Sequence, residues 1–241
     1  LDSFEAILCQ DRQSLQLAEQ LLSSPTAMLS GDTRFDQVAA LSQEITPLQA
    51  VEDFIDGRFC LVIGSSWPEE TELISRYLVE QQNDEFCVII APHKPQKSAI
   101  ETLKKSIAEP SVLWSELNTA TRCKVLIIDT IGLLNRVYQS ADVAFVGGGF
   151  RTGLHNTLEP AALGIPVLIG PKYETFPEVH ALVELGGVLV INDFESLETT
   201  LTNFIKQPEL QAQLGQINRQ FVAQNKGATA KVLETIAGYI H

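Results

Sequence analysis

The sequence predicts a doubly wound α/β domain built on a mostly parallel sheet, and three observations carry that expectation. Six short runs are rich in β-branched apolar residues, they are continuous rather than alternating, and helix-patterned segments separate most of them. Continuous apolar runs mark strands covered on both faces. Strands alternating with helices join through right-handed crossovers into a parallel sheet.

Residues 1–57 begin with a strand-like run at 4–9. A helix follows over 11–22 with Leu15, Ala18, Leu21 and Leu22 inward, and then a short apolar run at 27–29 before Gly31-Asp32. One helix and one or two strands cannot bury an independent core. This part is expected to close a second sheet whose remainder lies upstream, and to lead into a linker.

The six main runs fall at 59–63, 86–90, 125–128, 143–146, 166–169 and 188–191, with a seventh candidate at 112–114. Leu73, Ile74, Tyr77 and Leu78 recur at helical spacing over 69–81, as do Ile100, Leu103 and Ile107 over 98–108. Beyond the last run, three apolar stripes predict helices packed on the sheet. The first carries Phe194, Leu197, Leu201, Phe204 and Ile205, and Pro208 ends it. The second carries Leu210, Leu214, Ile217 and Phe221. The third starts after Gly227 with Val232, Leu233, Ile236 and Ile240.

The 241 residues carry a formal net charge of -13. Nucleic-acid affinity depends on many cationic contacts to phosphate, so the balance argues against a general nucleic-acid binder. Residues 1–57 alone hold ten acidic groups against Arg12 and Arg34, which fits a change of structural context near residue 57. Cys9, Cys60, Cys87 and Cys123 have neither metal-knuckle nor redox-pair spacing and read as free, mostly buried thiols. No run reaches the length of a membrane span, and the first residues lack the basic segment of a signal peptide.

Ligands of open α/β sheets collect beyond the carboxyl ends of the strands, and the candidate residues follow the predicted strands. Gly64, Ser65 and Ser66 precede a helix starting near Pro68, whose free N–H groups can receive a phosphate or carboxylate; a Ser-capped helix is the plainer reading. Pro92-His93-Lys94-Pro95 offers an imidazole and an ammonium, with no partner residues for a metal. Asp129 or Thr130 can cap the next helix, and the same loop can frame a base with Ile131. Thr175, after Lys172, can cap a helix or touch a ligand.

The most informative segment is Gly147-Gly148-Gly149-Phe150-Arg151-Thr152-Gly153-Leu154-His155-Asn156-Thr157-Leu158-Glu159. Clustered glycines suit sharp backbone bends and close approach to a ligand. The pattern matches neither a Walker loop nor a dinucleotide fingerprint. Asn156 and Glu159, three apart on the helix expected to begin at His155, share a face, and Glu159 can accept from a ribose diol. A capped helix with a favourably placed Glu is the structural alternative. His155 can be catalytic or can order the loop.

In this order, the motifs resemble the 3-deoxy-D-manno-octulosonic acid (Kdo) transferases, a family of two-domain GT-B glycosyltransferases. The resemblance rests on Gly31-Asp32-Thr33-Arg34-Phe35-Asp36, Gly64-Ser65-Ser66-Trp67-Pro68-Glu69-Glu70, Ala91-Pro92-His93-Lys94, the glycine segment through Glu159-Pro160-Ala161-Ala162, Gly170-Pro171-Lys172-Tyr173 and Gly186-Gly187. It implies a Rossmann-like C-terminal GT-B domain that binds CMP-Kdo, in an enzyme passing Kdo to a lipid A precursor at the cytoplasmic side of the inner membrane; the sequence has no DxD-type motif, so no metal is expected for donor binding. It also implies peripheral membrane association of the full-length protein.

By this resemblance Glu159 holds the ribose, and Asn156 orders the adjoining helix or the phosphate. Ser65 and Ser66 face the phosphate or the Kdo carboxylate, joined by the backbone of Gly148 and Gly149. His93, Lys94 and Ile131 lie along the nucleotide, and Lys172 lies near the acidic donor. The general base is expected on an N-terminal domain preceding this chain, so no residue here is assigned to it. Gly149, Arg151, Leu154 and His93-Lys94 depart from the forms common in relatives. The implied domains are 1–36 as the end of the acceptor-side domain, 37–57 as linker, 58–226 as the donor domain and 227–241 as a helix returning to the first. The isolated chain is expected to bind donor weakly and to transfer nothing. Another nucleotide-sugar GT-B transferase or epimerase, or a non-catalytic nucleotide-binding module, stays open.

Overall fold

The computed structural model describes residues 4–21, 26–81, 84–118, 123–151 and 153–239. Its contacts divide the chain into two compact units, one of residues 45–219 and one of 1–44 with 220–241.

In the larger unit, helix α3 (Gln49–Ile55) leads into β3 (Phe59–Ser66), α4 (Pro68–Glu80), β4 (Phe86–Pro92), α5 (Lys97–Ser106) and β5 (Ser111–Leu113). After a 3-10 turn at Trp114–Glu116 come β6 (Val125–Ile127), α6 (Leu134–Tyr138), β7 (Val143–Val146), α7 (Leu158–Leu163), β8 (Val167–Ile169), α8 (Pro177–Leu185), β9 (Val188–Val190) and α9 (Phe194–Lys206). Helix α10 (Pro208–Gln224) follows. All six predicted runs and the seventh candidate are strands, although Trp114 itself belongs to the 3-10 turn. The fold is the expected α/β architecture, with a sheet that is parallel throughout and ordered β5-β6-β4-β3-β7-β8-β9.

Why the runs are continuous is visible in the core. Leu61, Ile63, Val88, Ile90 and Phe145 face one way, against Ile74 and Leu78 of α4 and Leu197, Leu201 and Phe204 of α9. The alternate residues Cys60, Val62, Cys87, Ile89 and Ala144 face Val51, Phe54 and Ile55 of α3 and Val137 and Tyr138 of α6. Both faces are dry, so neither set of positions tolerates polar residues. The chain runs from β3 to β4 on one side and later returns to place β7 on the other. That reversal opens a crevice at the carboxyl ends of β3 and β7.

At the opposite end of the sheet, Asn218 is fully buried and donates to the carbonyls of Ile165 (2.7 Å) and Gly187 (2.8 Å), the turns that enter β8 and β9. Cys9, Cys60 and Cys87 are buried, Cys123 is half-buried, and all four are free.

The smaller unit holds β1 (Ala6–Cys9), α1 (Arg12–Leu21), β2 (Thr26–Leu29), α2 (Thr33–Glu44) and α11 (Ala228–Ala237), with β1 and β2 paired in parallel. Asp36 on α2 accepts from the backbone N–H groups of Gly227 (2.7 Å) and Thr229 (2.9 Å), so it caps α11 from nearly the whole chain away. Of the residues expected to face inward on α1, Leu15 and Ala18 are half-buried but Leu21 is 61% exposed, and Leu22 lies outside the described residues. Ile236 and Tyr239 are 45% and 51% exposed, and Ile240 lies outside the described residues. Much of 37–57, read above as linker, is helical in α2 and α3. Helix α2 buries only Phe35 and Val38, too sparse a stripe to stand out in sequence.

Candidate functional site

The carboxyl ends of β3, β7 and β8 meet backbone to backbone. Gly147 N–H donates to the Gly64 carbonyl (2.9 Å), and a Cβ on Gly147 would sit 2.3 Å from the Ser65 carbonyl oxygen. Gly149 and Gly170 face each other so closely that a Cβ on Gly149 would lie 2.6 Å from the Gly170 nitrogen. The glycine cluster is thus first a solution to three strand ends crossing in contact. Gly148 adds a positive φ of 92°, which turns the chain back on itself; His155 N–H then bonds the Gly147 carbonyl at 3.1 Å. Lys172 N–H bonds the Gly149 carbonyl (2.7 Å), bringing the loop after β8 to the same turn while its ammonium points to solvent. Thr152 lies outside the described residues.

Around this turn the candidate histidines His93 and His155 are joined by Trp67, Glu69, Glu70 and Arg151, to which the sequence reading gave no role. Trp67 stacks on His93 at 4.7 Å between centroids, and His93 lies 4.6 Å from His155. The Trp67 indole N–H donates to His155 Nε2 (3.3 Å), so that nitrogen carries no proton. Burial first, and then the neighbouring His93, hold the His155 pKa below the usual imidazole value. The Arg151 guanidinium lies 5.1 Å from the Trp67 ring centroid and pairs with Glu69 at 2.7 Å. Glu70 is fully buried, accepting from Trp67 N–H and Gly148 N–H, each at 2.9 Å. Its position three residues after the N-cap Trp67 is the sequence signal that marks it as a cap.

The predicted site residues fall into three groups. Ser65, Ser66, His93, Gly148, Gly149 and the Lys172 backbone come together. Ser65 adopts a left-handed φ of 52°, and Ser66 is buried with its carbonyl accepting from His93 N–H at 3.1 Å. Gly148 contributes its shape, but its N–H is already engaged by Glu70.

Asn156 and Glu159 form the second group, following His155 on the β7–β8 connection. The helix starts at Leu158 rather than at His155, because the Asn156 side-chain oxygen caps the Leu158 N–H (3.1 Å). The Asn156 amide donates to one Glu159 oxygen (3.0 Å), and the second is free of hydrogen bonds among the described residues. Burial raises the Glu159 pKa against the pull of that amide.

Lys94 and Ile131 make up the third group. Lys94 is exposed with no ion pair among the described residues, and Ile131 is 84% exposed after β6, two strands from β3. Two capping expectations are corrected. Asp129 does not cap α6; its carboxylate holds Ser115 N–H (3.1 Å) and Oγ (2.5 Å) across the sheet edge. Thr175 is exposed and does not cap α8, which begins with Pro177 after an extended Phe176.

A groove of about 670 Å³ runs between α4 and α5. It reaches Ser66, Trp67, His93 and Lys94 but not the glycine turn or Glu159, so it adjoins the crevice rather than being its centre. Among the described residues no three His, Cys, Asp or Glu side chains converge as a metal site, and no helix is long and apolar enough to cross a membrane.

No protein-family model matches the chain. Individual relatives do. A 3-deoxy-D-manno-octulosonic acid transferase of Chlamydophila psittaci is 29% identical over 183 residues, covering 75% of this chain and 42% of that protein. One from Haemophilus influenzae is 34% identical over 120 residues, covering 48% and 28%. The chain therefore spans less than half of these relatives. Among solved structures, the C-terminal CMP-Kdo binding domain of WaaA from Acinetobacter baumannii superposes with a TM-score of 0.62 at 22% identity, covering 78% of this chain and 97% of that domain. A UDP-GlcNAc 2-epimerase from Neisseria meningitidis gives 0.64 at 17% identity, covering 97% and 61%. Both likenesses place the fold with the Rossmann-like C-terminal domains of GT-B proteins.

Proposed function

We propose that the chain, which is similar to Kdo transferases and shares the fold of a CMP-Kdo binding C-terminal domain, is the donor-binding part of a CMP-Kdo-dependent glycosyltransferase. The full-length enzyme moves Kdo from CMP-Kdo to a lipid A precursor, working as a peripheral protein at the cytoplasmic side of the inner membrane. Residues 1–36 belong to its acceptor-side domain and 58–226 to its donor domain. The general base comes from the part of the enzyme outside this chain, which by itself binds donor and does not turn over.

One observation carries the reading. Beyond the glycine turn, Glu159 keeps one oxygen on Asn156 and leaves the other unbonded. A carboxylate oriented by one neighbour and open on its other oxygen suits a ribose diol, which offers two O–H donors. Ser65, Ser66 and the Gly149 backbone face the phosphate and sugar acid, and His93 lies along the nucleotide. Lys94 and Lys172, both exposed, supply positive charge to a ligand carrying a phosphate and a carboxylate. Ile131 covers the base. The donor binds without a metal.

Titration of the chain with CMP, repeated with Glu159→Ala, tests this reading. Charged hydrogen bonds contribute about 1.5–3 kcal/mol each, so the variant is expected to bind about tenfold or more weakly while melting no earlier. Equal affinity removes the ribose contact. Preference for UDP over CMP would instead favour an epimerase-like or other nucleotide-sugar reading, which the fold alone also accommodates.

A further inference from the structure

Among the described residues, Glu70 is the only acidic side chain that is fully buried. A buried carboxylate is costly to keep, and here it sits behind a crevice proposed to receive an anion. Capping α4 requires only its bond to Trp67 N–H. The second bond reaches Gly148 N–H, 78 residues along the chain, in the turn that leaves β7. No cation among the described residues neutralises it: Glu69 on the same helix raises its pKa further, the nearby Arg151 is paired with Glu69, and His93 and His155 are engaged with Trp67. What the carboxylate does accomplish is to join the ends of β3 and β7, the two strands that border the crevice.

We propose that Glu70 is a positioning residue of the donor site, whose carboxylate ties the glycine turn to the start of α4 and holds that turn in its ligand-binding shape. This rests on the nucleotide-sugar reading above. It carries a consequence for recognition: the Gly148 N–H is spent within the protein, so the donor phosphate is met by Ser65, Ser66 and the remainder of the turn.

The test uses the chain itself. Glutamine has a single acceptor oxygen, and its amide would confront one of the two N–H donors. Glu70→Gln is therefore expected to raise hydrogen exchange at the Gly148 amide about tenfold and to weaken CMP binding about tenfold, equivalent to about 1.4 kcal/mol. A variant that binds CMP as the parent does, or keeps Gly148 protected, overturns the positioning role alone. A parent chain that binds no cytidine nucleotide overturns the reading of the site, whatever the substitution does.

Should the variant not fold, the unsubstituted protein decides the matter. Burial raises the Glu70 pKa, opposed by the two N–H groups. The backbone amide protons of Trp67 and Gly148 are expected to titrate together at one midpoint above the usual carboxyl value. Separate midpoints, or a Gly148 amide signal indifferent to that ionisation, refute the proposal.

Discussion

Gly148 and Gly153 lie five residues apart in one loop, yet replacing each with alanine is expected to give opposite results. At Gly148 the φ of 92° is one that L-residues avoid, at a cost of about 1–2 kcal/mol. The new Cβ would also stand 2.2 Å from the Gly153 carbonyl oxygen and 2.8 Å from its carbon. Both are backbone atoms, so the strain cannot be relieved by turning a side chain, and overpacking of this kind costs a further 1–3 kcal/mol or about that. The sum, about 2–5 kcal/mol, corresponds to a melting temperature lower by about 5–15 °C in a protein of this size. At Gly153 nothing lies within 4 Å of the added Cβ and φ is not in the positive region, so Gly153→Ala is expected to stay within about 0.5 kcal/mol of the parent. Thermal unfolding followed by circular dichroism measures both. If Gly148→Ala melts with the parent, or Gly153→Ala falls as far, the account of Gly148 as the left-handed, close-packed turn of this loop is wrong.

Two further measurements address the site's electrostatics and the far end of the sheet. The folded pKa of His155 is depressed, so the native state takes up its proton less readily than the unfolded chain does. Its presence costs nothing above the unfolded imidazole value of about 6.5, destabilises increasingly as pH falls from there to the folded value, and levels off below that. Melting temperature against pH should therefore fall less steeply on the acid side in His155→Gln than in the parent, and parallel curves would contradict the buried, neutral imidazole. Asn218→Ala would strip the Ile165 and Gly187 carbonyls of their buried donor, with an expected loss of about 2–4 kcal/mol in urea titration; a loss under about 0.5 kcal/mol would mean those carbonyls find other partners.

The nature of the strands was legible in the amino-acid order because a strand buried on both faces leaves no room for polar residues, and such runs stand out along the chain. Helices α4, α5 and α9 were legible for a related reason: their apolar residues repeat at helical spacing to cover those strands. Candidate loops then followed from topology, since ligands of parallel sheets gather where strands end. Family resemblance, carried by motifs in one order, supplied the chemistry that periodicity could not.

Contacts between distant segments left no such trace. Helices α2 and α3 bury too few residues to print a pattern. The cap on α11 comes from Asp36, nearly two hundred residues earlier. Asp129 looked like a local cap, but its acceptors were claimed by Ser115 on the adjoining edge. Above all, nothing local to Glu70 marks more than a place in the first turn of α4, while folding sets its second oxygen against Gly148. Local sequence determines which backbone conformations and burial patterns are affordable. Which strand ends become neighbours, and so which N–H each carboxylate meets, is decided only when the sheet order β3-β7 is formed.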